Sequence, residues 1–413
     1  MQTFQKIKIK DFCEITSSKR IFADEYLSSG VPFYRGKEIS EKQRSSSEVS
    51  DSIYISREKF EEIKSKYGAP QKGDLLLTSV GTIGNPYLVK ENEEFYFKDG
   101  NLTWFRNFRG INGQWLYYWL LSPQGKSELN KCTIGSSQKA YTINLLYALQ
   151  IELPDIPTQT RIASVLSAYD DLIENNEKRI KALGEMAQLL YTEWFVKFKF
   201  PGHEKSKLID SHTEYGPIPE GWEVKRLKEI GKAVTGKTPP TGNLENFDGE
   251  ILFIKTPDIH GNIFVLKTEQ TLSKIGVKTQ SLKLLPEKTV FVSCIGTLGV
   301  VGITSKPSQT NQQINALMFN DNSDYCFFYF FAKSLKQKLI GLGSNGSTMG
   351  NVNKDKFENI NILYPNKKTR KLFYKATTNL FDEILTLQKY NQNLSQTRDL
   401  LIPQLVTGKR ELK

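Results

Sequence analysis

The sequence predicts an α+β protein: two similar β-rich domains separated by an antiparallel two-helix coiled coil. Three observations carry that expectation. The chain repeats itself at a spacing of about two hundred residues, far beyond the roughly 20–50 residues of solenoid repeats. Two long segments, one near the middle and one near the end, space apolar residues as a heptad does. The remainder is short runs of Val, Ile, Phe and Tyr bounded by Gly, Asn, Asp and Ser, the pattern of strands and turns.

The repeat shows as matched segments in one order. Ile9-Lys-Asp-Phe-Cys-Glu-Ile15 pairs with Leu227-Lys-Glu-Ile-Gly-Lys-Ala233, and Phe33-Tyr-Arg-Gly-Lys-Glu-Ile39 with Phe253-Ile-Lys-Thr-Pro-Asp-Ile259. The apolar runs Leu75–Leu77 and Val290–Val292 read as buried strands leading into glycine turns. Those turns are Gly81-Thr-Ile-Gly84 and Gly296-Thr-Leu-Gly299, an offset of 296 − 81 = 215. Gly135-Ser-Ser137 matches Gly346-Ser-Thr348 at 346 − 135 = 211. A nearly constant offset means one duplicated unit with small loop insertions.

These matches divide the chain. The first β-rich domain covers 1–156 and closes on Ile151-Glu-Leu-Pro154; the second covers 221–366 and closes on Ile362-Leu-Tyr-Pro365. A long helix follows each, over 157–198 and 367–403, with a linker at 199–220 and a tail at 404–413. Pro201-Gly202 and Pro403 are read as helix stops, because proline has no N–H to continue the ladder.

In the first helix Leu166, Tyr169, Ile173, Asn176, Ile180, Leu183, Ala187 and Leu190 form a seam. In the second the seam is Leu380, Ile384, Leu387, Asn391, Leu394 and Leu401. A 3.5-residue average marks a coiled coil. Asn176 and Asn391 on the seam lower stability while restricting register, or else are tolerated polar positions with partial exposure. Antiparallel pairing relates two equivalent repeats by a pseudo-dyad and sets one domain at each end of a rod about 50 Å long. Such a rod suits a protein that touches DNA at two places and skips the middle.

Composition narrows the partners. With 56 Lys and Arg against 45 Asp and Glu, the net charge is +11, which favours an acidic partner such as nucleic acid. Cys13, Cys132, Cys294 and Cys326 lie far apart, with no zinc spacing, and read as buried thiols. No run approaches the ~20 apolar residues of a membrane span, so a cytoplasmic chain is expected.

Motifs for catalysis are weak. Gly231-Lys-Ala-Val-Thr-Gly236-Lys237-Thr238 fits a P-loop pattern, but Pro239-Pro240 blocks the helix a phosphate cradle needs. Asn85-Pro86-Tyr87 lacks the second proline of the amino-methyltransferase motif and has no cofactor fingerprint beside it. Pro154-Asp155 with Glu223-Val-Lys225 is too loose for a nuclease, and His203, His212 and His260 form no triad. No catalytic, cofactor-binding or metal residue is assigned. The rivals that remain are a stand-alone methyltransferase or NTPase, and an assembly scaffold that reads no bases.

Candidates for DNA contact are polar loop residues, since Lys and Arg fix position on phosphates while Arg, Asn and Gln read base edges. In the first domain they are Arg35, Lys37, Thr82, Ser136, Gln138, Lys139 and Tyr141. In the second they are Lys255, Thr297, Gln309, Asn311, Gln312, Gln313, Asn345, Ser347, Thr348 and Asn351. Ordinary solvated loops or internal turn hydrogen bonds account for such residues equally well.

Three segments carry a family resemblance: Ile218-Pro-Glu-Gly-Trp222-Glu-Val-Lys-Arg-Leu-Lys-Glu-Ile230, Gln159-Thr-Arg-Ile-Ala-Ser-Val-Leu-Ser-Ala-Tyr-Asp-Asp171 and Leu400-Leu-Ile-Pro-Gln-Leu-Val-Thr-Gly408. Over essentially its whole length the chain resembles the DNA-specificity (S) subunit of type I restriction–modification systems. The resemblance implies that each domain is a target-recognition domain reading one half of a bipartite double-stranded DNA site through the major groove. It implies that the helices set the unread gap and dock two methyltransferase (modification) subunits, which restriction/translocase subunits join. S-adenosylmethionine, ATP and Mg then belong to those partners, and this chain is non-catalytic. The second helix departs from regular spacing around Ala376-Thr-Thr-Asn379, which puts its packing there in question.

Overall fold

The computed structural model describes residues 5–44, 49, 52–135, 139–343 and 350–412. Two compact units emerge: 1–177 with 391–413, and 178–390. Each long helix therefore contributes to both units.

In the first unit a four-stranded sheet runs in the order Glu14–Thr16, Leu102–Arg106, Leu75–Thr78, Pro86–Leu88. A second sheet runs Ile53–Ile55, Val31–Tyr34, Tyr96–Phe97, with the last two strands parallel. Leu75, Leu76 and Leu77 are all fully buried, as a central strand covered on both faces requires. Gln5–Lys8 pairs antiparallel with Gln150–Leu153 and closes the domain just before the first long helix.

The second unit repeats this plan. Gly231–Thr235, Ile314–Phe319, Val290–Ser293 and Val301–Thr304 take the same sheet order, with Phe264–Val265 added at the edge. Thr271–Leu272, Phe247–Ile254 and Ser308–Thr310 form the smaller sheet, again with one parallel pair. Glu223–Arg226 pairs with Asn361–Tyr364 before the second long helix. The matched segments correspond down to a cap: the backbone N–H of Arg35 donates to Glu38 at 2.7 Å, and that of Lys255 to Asp258 at 2.8 Å.

The first long helix spans Ile156–Tyr191 and finishes in a π turn at Thr192–Val196, ahead of Pro201. The second spans Lys367–Val406. Pro403 lies inside it rather than stopping it. The helix closes at Gly408, whose φ of +70° supplies the left-handed step a C-terminus uses. A proline so near the end removes only one of the last ladder hydrogen bonds, which explains its tolerance.

The helices pair antiparallel in both units. In the first, Arg398 ion-pairs with Asp170, and Asn176 donates to Asn391 at 2.8 Å. In the second, Arg179 meets Glu383 at 2.7 Å, and Phe195 packs edge-on against Phe373 with ring centroids 4.8 Å apart. Leu166, Ile384 and Leu387 are buried, while Tyr169, Ile173, Ile180, Leu183, Leu190, Leu380, Leu394 and Leu401 are half-buried along the seam. In the irregular stretch the seam shifts to Phe373, Thr377 and Phe381, all buried, and Thr377 donates its hydroxyl to the Phe373 carbonyl at 2.8 Å.

Helix ends are packed into their domains. Ile162, Ala163, Leu166, Ile402, Leu405 and Val406 join Trp115 and Trp119 in the first core. Tyr191, Phe195, Phe373 and Phe381 join the run Phe327–Phe331 in the second. Each buried Leu, Ile, Val or Phe among them contributes about 1.5–3 kcal/mol by leaving water, so neither helix is an appendage.

Candidate nucleic-acid interface

In the first unit four segments leave the sheets at one edge. The turns after Thr16, Tyr34 and Thr78 lie beside the loop from Lys98 to Asn101, because Tyr34 pairs with Phe97 and Thr78 with Leu102. Backbone bonds fix the cluster: Lys98 N–H donates to the Tyr34 carbonyl at 2.9 Å, and Ser79 N–H to Asn101 at 2.8 Å. A bridge between Val80 and Ala140 adds the loop that carries Lys139.

The second unit builds the same edge. Asn311 N–H donates to the Ile254 carbonyl at 3.1 Å, and Cys294 N–H to Gln313 at 2.7 Å. A bridge between Ile295 and Asn351 replaces that between Val80 and Ala140. Gly236 is required here by close approach, since an added Cβ would stand 2.2 Å from the Asn311 carbonyl oxygen.

The sequence candidates divide on this edge. Lys37, Thr82, Lys139, Thr297, Gln312 and Asn351 are exposed on it, and Lys255 and Gln313 are half-buried. Thr82 and Thr297 sit in turns whose glycines, Gly81 and Gly296, take φ of +81° and +75°. Arg35 is half-buried and ion-paired with the fully buried Glu38. Burial works to raise the Glu38 carboxyl, but hydrogen bonds from the Arg35 side chain and backbone outweigh it and hold it below the usual carboxylate range.

Three candidates are corrected. Gln309 is fully buried, accepting from Gln280 Nε2 at 2.8 Å and donating to the Gln280 carbonyl at 3.1 Å; it is an internal amide tie. Asn311 is buried and folds onto Gln313 through bonds of 3.0 and 3.2 Å. Tyr141 is buried in the first core, its hydroxyl against Gly84. Sequence alone does not separate a loop amide facing water from one turned inward. Ser136, Gln138, Asn345, Ser347 and Thr348 lie outside the described residues.

The structure adds residues that the sequence reading missed. Arg20 Nε donates to Asp99 Oδ2 at 2.7 Å, and Thr238 Oγ1 to Gln312 Oε1 at 2.7 Å. Lys237 is exposed beside Thr238. A signal existed in the polar runs Ser17-Ser-Lys-Arg20 and Gly236-Lys-Thr238, which follow the matched strands. The second of these reads, from sequence alone, only as an incomplete phosphate loop. Gly231–Thr235 is in fact a strand paired with Asn315–Phe319, which leaves no cradle for a nucleotide. Asn85 likewise serves the fold, donating to Ser40 at 2.9 Å.

All four cysteines are free and buried. Burial pushes the Cys13 and Cys326 thiols up to about 12 and Cys294 to about 11, so none is poised as a nucleophile. Among the described residues no group of three His, Cys, Asp or Glu side chains stands ready to hold a metal ion, and no helix is long and apolar enough to cross a membrane.

Comparison with known proteins decides the family. The family model of the type I restriction modification DNA specificity domain matches twice, over residues 1–185 and 219–395. The chain belongs to this family. Its relatives include the type I restriction enzyme HindI specificity subunit of Haemophilus influenzae, 29% identical over 82% of this chain and 87% of that protein. The type I restriction enzyme MjaIX specificity subunit of Methanocaldococcus jannaschii is 27% identical over 97% of this chain and 92% of that protein. The crystal structure of a type I restriction–modification S subunit from M. genitalium shares the fold, with a TM-score of 0.60, 15% identity, and coverage of 100% of this chain and 97% of that one. A type I DNA-specificity chain with one recognition domain per family match accounts for the duplicated edge described above.

Proposed function

We propose that each loop edge reads one half of an interrupted sequence in double-stranded DNA, and that the helix pair sets the gap between the halves. The observation that carries this reading is the duplicated edge: one backbone frame, built twice, keeps a threonine in its glycine turn and carries different exposed side chains around it. Lys37, Thr82 and Lys139 stand on the first, and Lys237, Thr297, Gln312 and Asn351 on the second. Different readers on one frame make the site asymmetric. Lysines hold the phosphates, and the polar side chains select bases.

Two methyltransferase subunits dock on the helices, and restriction/translocase subunits complete the assembly. S-adenosylmethionine, ATP and magnesium act on those partners, while this chain supplies site choice without catalysis. The reading draws support from the family match and from the lack of nucleotide-cradle geometry at Gly231–Thr238.

A salt titration with a selected duplex and its scrambled version tests the reading. Sequence-specific binding keeps a preference for the selected duplex at every salt concentration. A scaffold held by phosphates alone loses affinity for both duplexes in parallel.

A further inference from the structure

Each edge carries a latch between two side chains on neighbouring loops, and the two latches join equivalent loops. In the first unit the loop leaving strand Glu14–Thr16 reaches the loop after Tyr96–Phe97 through Arg20 and Asp99. In the second the loop leaving Gly231–Thr235 reaches the loop after Ser308–Thr310 through Thr238 and Gln312. The flanking backbone bonds of Lys98 and Asn311, and of Ser79 and Cys294, make these loops counterparts. Where the second copy has Gln312, the first has Asp99-Gly100.

We propose that these latches orient one base-reading side chain per domain: Gln312 for adenine in one half-site, and Arg20 for guanine in the other. The inference rests on the DNA-reading function proposed above and names the readers. Gln312 is exposed; its Oε1 takes one hydrogen bond from Thr238, and its Nε2 has no partner among the described residues. A carboxamide fixed in this way keeps one acceptor lone pair and its N–H donors for the N6 and N7 of adenine in the major groove. Its neighbours are spent internally, Gln309 on Gln280 and Asn311 on Gln313. Gly236 and the bond from Lys237 N–H to the Thr310 carbonyl, at 2.9 Å, hold Thr238 in place.

In the first domain the latch is charged and its roles are reversed: the reader, Arg20, lies on the loop equivalent to that of Thr238, and Asp99 on the loop equivalent to that of Gln312. Arg20 Nε is tied to Asp99, the Arg20 side chain is 66% exposed, and Asp99 is 16% exposed. Tying Nε presents the two terminal nitrogens as a fork, the geometry that meets guanine O6 and N7. Asp99 and Thr238 are positioning residues; Arg20 and Gln312 touch the bases.

The test is selection of binding sites from a random duplex pool by the full chain, co-purified with its modification subunits. The wild type selects a split site with an adenine position in one half and a guanine position in the other. Q312A flattens the adenine position on the order of tenfold or more and leaves the other half unchanged; R20A does the converse. T238V and D99N weaken the same positions as Q312A and R20A respectively, without changing the salt slope, which a merely structural or phosphate role would not produce. A wild-type site left unchanged by Q312A and R20A overturns this inference alone, as does a uniform loss of affinity with every position preserved. A wild type that selects no sequence at all overturns the proposed function and this inference with it.

Discussion

The side-chain amide of Asn176 donates to the amide oxygen of Asn391 across 2.8 Å, and the two residues are 215 positions apart, the same offset that relates Gly81 to Gly296. The helices themselves correspond at an offset of 370 − 159 = 211, so the two asparagines are near-equivalent rather than matched positions, close to the middle of the antiparallel pair. Asn391 Nδ2 also reaches the Ile173 carbonyl at 3.3 Å, so the pair is bonded beyond a single contact. Replacing Asn391 by Ala leaves the buried amide of Asn176 unmatched and costs about 1–3 kcal/mol, read as a lower thermal midpoint. Replacing both by Leu raises the midpoint while relaxing register, and site selection then returns a broader range of gap lengths.

A second pair of equivalent contacts anchors the helix starts, once in neutral and once in charged form. Gln159 donates to the Pro154 carbonyl at 2.7 Å and accepts from Asn112 N–H at 2.7 Å; Arg370 donates to the Pro365 carbonyl at 3.0 Å and ion-pairs with Asp324. Asn112 and Asp324 each begin the core helix of their domain. Arg370→Met leaves Asp324 as a buried lone charge and costs about 3–5 kcal/mol at neutral pH. Burial already holds the Asp324 carboxyl above its ordinary value, so the folded state binds its proton more readily than the unfolded chain. Stability from this group therefore falls as pH rises from the unfolded value through the folded one. The R370M deficit should shrink on acidification, measured by denaturant unfolding across pH.

Glu38 behaves in the opposite sense. Its carboxyl titrates below the ordinary value, so its contribution is present above the unfolded pKa and disappears as pH falls through the folded one. Glu38→Gln should lower stability by about 1–3 kcal/mol at neutral pH, and wild type and variant should converge below the folded pKa.

Gly236→Ala places a methyl group 2.2 Å from the Thr310 hydroxyl and the Asn311 carbonyl, so the Gly236–Thr238 loop must shift. The expected cost is about 1–3 kcal/mol. Site selection should lose definition in the half-site read by the second domain and keep the other half.

Much of this was legible in the sequence because it rests on periodicity and repetition. Leu75–Leu77 and Val290–Val292 are buried strands, and the heptads place Leu166, Ile384 and Leu387 in the buried part of a seam whose other apolar positions are mostly half-buried, since apolar spacing reports on burial. Pro403 misled because a proline in the last turn forfeits little. The interface was legible only in part. Thr82 and Thr297 were marked by glycine turns, whereas Gln309 and Gln312, three residues apart, have opposite fates. One amide faces the buried Gln280 and the other faces solvent, a difference set by tertiary packing rather than by local pattern. Arg20 and Asp99 are distant in sequence, and nothing local announces their contact.

The most direct measurement is a domain exchange. Residues 1–156 are replaced by those of a related specificity chain with a different target, and adenine methylation is mapped genome-wide in cells carrying the hybrid and its partner subunits. The account predicts a split methylated motif with one half changed, the other half retained and the gap length unaltered. A motif in which both halves change together would contradict independent reading by two separate edges.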